Sequence, residues 1–195
     1  MKRELFARVG AVLPWIPVFL SLFFLFRFTE GWRAGLFLLS IAVHEGGHLA
    51  AFSLCGAGAP RLAPVSGGFR FRAPSPLSYR AELFVALAGP LANIVPGLLF
   101  LFFGAENAYS LEAGWIFLST GASNLIPVSD HDGGRALLCL LSPRLGPEKA
   151  GRVAEAVSLF SLSLSLTLSF SLLYASGAGF YFAVFCLFSL LSHPL

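Results

Sequence analysis

The chain has 195 residues, 56% of them apolar and only 12% charged, and its mean hydropathy of +0.79 lies outside the range of a soluble globular domain. Its net charge of +3 comes from arginines scattered between apolar runs, with no basic patch interleaved with aromatics, which argues against nucleic-acid binding. Cys55, Cys139 and Cys186 are odd in number, far apart and without CxxC spacing, so they read as reduced core residues and neither a disulfide framework nor a cysteine metal site is expected.

A run of about 20 apolar residues is the unit that crosses a bilayer. Counting such runs predicts an all-α polytopic membrane protein, a single domain over 1–195 with about six transmembrane helices. The first covers about 9–28. MKRELFARVG followed by an apolar run resembles a signal sequence, but no small-residue cleavage site follows, so an uncleaved helix is expected. The second runs from about Ala34 to Leu54. From Gly56 to Tyr79 the chain is rich in Gly, Pro and Ser, and the alternating piece GFRFR at 68–72 predicts a small hairpin. A third helix follows at about Ala81–Phe103, and a fourth at about Ala113–Leu141 with an interruption at Ile126–Gly134. Two more are expected at about 157–173 and 178–191.

The fifth run, SLSLSLTLSFSLL, alternates with period 2, as a strand would. An isolated strand in hydrocarbon leaves its amides unpaired at several kcal/mol each, whereas in a helix the serine hydroxyls bond back to carbonyls, so helix is expected. In a six-span arrangement, ten basic residues (Lys2, Arg3, Arg8, Arg61, Arg70, Arg72, Arg80, Arg144, Lys149 and Arg152) fall on one side and only Arg27 and Arg33 on the other. The excess predicts that both termini are cytoplasmic. Trp15, Trp32 and Trp115 fit interfacial anchors, and Gly104, Gly114 and Gly121 could permit close helix approach.

Within the second helix stands AVHEGGHLAAF, in which His44 and His48 are four apart and project from one helical face, with Glu45 beside the first. Two neutral imidazoles at i and i+4 can grip one zinc ion, and the adjacent carboxylate can take a proton from an activated water. A lone histidine in an apolar helix is ordinarily a satisfied structural residue. Two histidines and a glutamate inside a membrane span, however, carry a desolvation cost of several kcal/mol unless ligated or paired, which makes a functional site the stronger reading.

A zinc hydrolase needs a third protein ligand and an open position. SNLIPVSDHDGGRALL offers Asp130, His131 and Asp132 where Pro127, Gly133 and Gly134 break the fourth run. Unwound backbone at membrane depth has to face the protein interior. The weaker alternative on these grounds is that Asp130 or Asp132 simply caps the helix that resumes at Gly133.

With HEGGH in one span, AGPLAN in the next and NLIPVSDHDGGR in a broken later one, the chain resembles the site-2 protease family of intramembrane zinc metalloproteases. The resemblance covers about 34–145, the family's three-helix core, and the layout is closest to the branch containing the stage IV sporulation protease FB. It implies one zinc ion per chain held by His44, His48 and Asp132, with Glu45 catalytic. Asn124 and Pro127 match positions that line the substrate's path, and Gly89, Pro90 and Asn93 match an element packed beside the site. The implied substrate is a membrane-embedded or membrane-tethered regulatory protein, such as an anti-sigma or pro-sigma factor, in a bacterial cell membrane. The GFRFR hairpin could dock an extended substrate by strand addition. The rival expectations are a pseudoprotease that only binds membrane proteins and a small ion-conducting protein.

Overall fold

The computed structural model describes Arg27 and residues 30–65 and 68–176. Helix α1 spans Gly31–Leu54, a hairpin pairs β1 (Arg61–Val65) with β2 (Gly68–Arg72), and α2 (Tyr79–Phe103), α3 (Ala108–Asn124), α4 (Asp132–Leu145) and α5 (Pro147–Ser176) follow. The helices expected at about 9–28 and 178–191 lie outside the described residues. Three helices, α1, α2 and α5, are long and apolar enough to cross a membrane. The fourth predicted run is two helices, because residues 125–131 turn around Pro127; the interruption ends before Gly133 and Gly134, which are already helical. At about 1.5 Å per residue the 17 residues of α3 fall short of a hydrocarbon core about 30 Å thick. Helix α3 alone is therefore too short to cross it.

Helix α5 begins ten residues ahead of the predicted start, because the polar stretch PEKAGRVAEA is helical too. The serine-rich run within it is helical, and its hydroxyls bond back as its composition suggests: Thr167 Oγ1 donates to Ser163 O at 2.8 Å and Ser169 Oγ to Ser165 O at 2.7 Å.

The antiparallel hairpin sets Arg61 opposite Arg72 and Val65 opposite Gly68. Phe71 packs, with Leu77 and Ala88, against a buried cluster of Ala51, Phe52, Ala57 and Val85, which fixes the hairpin over the seam between α1 and α2. At the far end, Arg33 of α1 grips Glu112 of α3 through two bonds of 2.6 and 2.9 Å, and Trp32 meets Tyr109 edge-on at 5.0 Å. The starts of α1 and α3 thus share one end of the bundle.

Small residues bring the helices close. A Cβ on Gly47 would lie 2.6 Å from Ala88 O, and one on Gly121 would lie 2.7 Å from Pro90 O. These contacts seat α1 and α3 directly on the backbone of α2. Gly121 is one of the glycines expected to permit close approach, whereas Gly104 ends α2 against Ser110.

Candidate metal centre

His44 and His48, one turn apart on α1, are both buried, and their Nε2 atoms stand 3.2 Å from each other. Asp132 opens α4 and is buried as well. Its Oδ2 lies 3.0 Å from His44 Nε2 and 3.1 Å from His48 Nε2. The residue before it, His131, occupies the N-cap and makes no side-chain capping bond, and the carboxylate of Asp132 turns Oδ2 to the histidines while its Oδ1 accepts from Arg135 of the same helix.

The chemistry of the donors decides what belongs between them. His48 Nδ1 lies 2.8 Å from the carbonyl oxygen of Val85, a group that only accepts, so Nδ1 carries a proton and, in the neutral ring, Nε2 offers a lone pair. That lone pair faces a carboxylate oxygen, another electron-pair donor, across 3.1 Å. The arrangement is repulsive unless a proton on Nε2 or a metal ion sits between the atoms, and three converging donors in one buried place suit a metal ion. Among the described residues, His44, His48 and Asp132 are the group whose geometry fits one metal ion. Fixing His48 through its second nitrogen is how metal-binding imidazoles are commonly oriented. His44 differs: its buried Nδ1 has no hydrogen-bond partner.

The neighbouring sequence explains how these side chains converge. Gly89 of α2 lies directly beneath both imidazoles, where a Cβ would collide with His48 Nε2 and stand 2.9 Å from His44 Nε2. Pro90 and Asn93 follow on the same helix, both buried, and neither amide atom of Asn93 finds a partner. Gly133 and Gly134 lie against the backbone of Leu125, Ile126 and Val128, so the turn can fold tightly over the start of α4. Ser129 N donates to Ser158 Oγ of α5 at 2.9 Å, and His131 Nδ1 lies 3.0 Å from Ser123 O, which ties the turn down on both sides.

A cavity of about 60 Å³ opens on this centre, lined by His44, Glu45, His48, Phe71, Asn124, Asp130, Asp132 and Arg135. Glu45 and Asn124 thus border the same space as the metal-binding atoms, with Asn124 steadied by donating to Thr120 O at 3.0 Å. Pro127 is not among the lining residues; it belongs to the turn that precedes α4. A larger groove of about 410 Å³ runs from the cavity's edge along residues 71–77, with Glu82 and Arg135 on its other side. Phe71 and Arg135 border both spaces.

Sequence reasoning passed over Arg135 and Glu82. Arg135 donates to Glu82 at 2.5 Å and to Asp132 Oδ1 at 3.4 Å. Their visible signal was a charged residue one turn past the aspartate, at a depth where unpaired charge is costly.

An HExxH helix, a glycine-backed partner helix and an aspartate at a helix break, set among helices able to cross a bilayer, define an integral membrane protein with a buried metal centre. Comparison with known proteins points the same way. Its fold is that of the site-2 protease from Methanocaldococcus jannaschii, with a TM-score of 0.57 over 81% of this chain and 74% of that one, at 23% sequence identity. In sequence, the chain is 31% identical over 142 residues to a zinc metalloprotease of Methanocaldococcus jannaschii. That match takes in 68% of this chain but 41% of the relative, so the chain spans less than half of that protein's length. No protein-family profile matches the chain.

Proposed function

We propose that this chain is an intramembrane zinc metalloprotease of the site-2 type, with His44, His48 and Asp132 holding one zinc ion and Glu45 acting as the catalytic base. The observation that carries this reading is the buried convergence of two imidazole nitrogens and a carboxylate oxygen within 3.2 Å of one another, beside a carboxylate free of the ligand set. Zinc bound there supplies Lewis acidity, polarising a peptide carbonyl and lowering the pKa of water toward neutrality.

The chain's own residues do the rest. Glu45, bordering the cavity next to His44, takes the proton of the attacking water and returns it to the leaving amine. Asn124, across the same cavity, holds the peptide by its amide. Pro127 acts one step removed, by ending α3 so that Asn124 and Asp132 meet. Phe71 and the buried wall of α1 and α2 limit the water that reaches the cavity.

A cavity of about 60 Å³ cannot take a helix, so the substrate must enter as extended chain. A transmembrane helix hides its carbonyls in internal hydrogen bonds, and unwinding near the membrane belongs to turnover. The groove along residues 71–77 leads an extended segment to the site. The substrates are membrane-embedded or membrane-tethered regulatory proteins of the anti-sigma or pro-sigma kind, in a bacterial cell membrane. On this reading the basic residues of the hairpin and of the α4–α5 junction lie on the cytoplasmic side, and the sequence layout is closest to the stage IV sporulation protease FB branch.

The test is co-expression of tagged candidate membrane substrates with the wild type or with Glu45→Gln. Cleavage by the wild type, falling by roughly 10²–10⁴-fold in the variant, is expected from loss of the base. Equal processing by both would remove Glu45 from the mechanism.

A further inference from the structure

The guanidinium of Arg135 is nearly enclosed, with its side chain 12% exposed, and its two terminal nitrogens go to different partners. One donates to Glu82 Oε1 on α2 at 2.5 Å, and the other to Asp132 Oδ1 at 3.4 Å. The two oxygens of Asp132 are therefore divided: Oδ2 faces both imidazoles and Oδ1 faces Arg135. We infer that Arg135, anchored by Glu82, is a positioning residue that fixes the rotation of the Asp132 carboxylate and reserves a single oxygen of it for the metal. The inference rests on the zinc reading given above.

Three physical arguments support it. Asp132 begins a helix after a turn, where local backbone alone leaves χ1 and χ2 free, so something outside α4's own ladder has to choose the carboxylate's rotation. Arg135 lies one helical turn on, on the same face, but an i,i+3 contact by itself is weak. Glu82 supplies the anchor: it comes from α2, the helix whose Val85 and Gly89 also hold His48 in place. One helix thus orients a histidine through a carbonyl and the aspartate through a carboxylate–guanidinium relay. Arginine suits this task because its planar fork serves two acceptors at a fixed angle, which a lysine ammonium on a flexible stem does not. Without Arg135, Oδ1 of Asp132 would be a buried acceptor without its donor, free to swing toward the metal.

The experiment is zinc affinity of the detergent-purified full chain, measured by chelator competition for the wild type, Arg135→Gln, Glu82→Gln and the double variant. Thermal unfolding of each metal-free protein is recorded alongside. Loss of a residue that orients a ligand weakens metal binding by about 10–100-fold. That loss is expected in Arg135→Gln, with a smaller one in Glu82→Gln, and the double variant should be no weaker than Arg135→Gln, because Glu82 acts through Arg135. A cobalt-substituted Arg135→Gln should show weaker visible absorption than the wild type, as the released second oxygen raises the coordination number. If Arg135→Gln does not fold, the milder Glu82→Gln carries the same test. Wild-type affinity in both single variants, or additive losses in the double, would overturn the inference and leave the protease reading standing. A wild type that binds no zinc would overturn both.

Discussion

Replacing Gly89 by alanine puts one methyl group against both imidazoles of the centre. The new Cβ would stand 2.6 Å from His48 Cε1 and 2.9 Å from His44 Nε2. Bringing Cε1 out to an ordinary contact of 3.4 Å means a retreat of about 0.8 Å, beyond the roughly 0.5 Å within which a working constellation has to be held. His48 cannot yield freely, because its Nδ1 is tied at 2.8 Å to Val85 O, one turn earlier on the same helix that would carry the methyl. Overpacking of this kind costs about 1–3 kcal/mol. If that cost falls on the metal-binding arrangement, zinc binding weakens by about 5- to 140-fold. Chelator competition on the purified Gly89→Ala chain measures the change, with helix content followed by circular dichroism. Zinc held at wild-type affinity with unchanged helix content would refute the claim that Gly89 is small to make room for the rings.

Two further outcomes follow from the same contacts. Gly133→Ala drives a Cβ into the carbonyl of Leu125 and to 2.6 Å from Ile126 O, so it should displace Asp132 and lower zinc content, whereas Gly46→Ala, with nothing within 4 Å, should leave folding and zinc content unchanged. Equal zinc content in these two variants would count against the packing argument. Arg33→Gln breaks a well-formed but solvent-exposed pair with Glu112, so thermal unfolding should barely change and any shift should vanish at high salt; a large, salt-resistant loss would mean the pair is protected from solvent.

Much of the centre could be read from the chain because its parts are local. HEGGH puts two imidazoles on one face by helical spacing alone, and Pro127, Gly133 and Gly134 mark the break after which Asp132 opens α4 beside them. The GFRFR alternation marks one strand of the hairpin. The start of α5 was misjudged because PEKAGRVAEA carries no span-like hydropathy, although it is good helix-forming sequence. The support around the ligands was not legible. His48 meets Val85 across 37 positions, and Arg135 meets Glu82 across 53. Pairings of that reach depend on how α2 docks on α1 and α4, and no local periodicity encodes them. Gly89 and Asn93 could be flagged by motif, yet that a glycine backs the imidazoles, and that the asparagine amide is buried without a partner, emerge only from the packed helices.

The most direct test of the account is elemental analysis of the purified wild type, Glu45→Gln and Asp132→Ala side by side. The account predicts one zinc ion per chain in the wild type and in Glu45→Gln, since Glu45 lies outside the ligand group, and loss of zinc from Asp132→Ala. A zinc-free wild type, or an Asp132→Ala protein that keeps its metal, would contradict it.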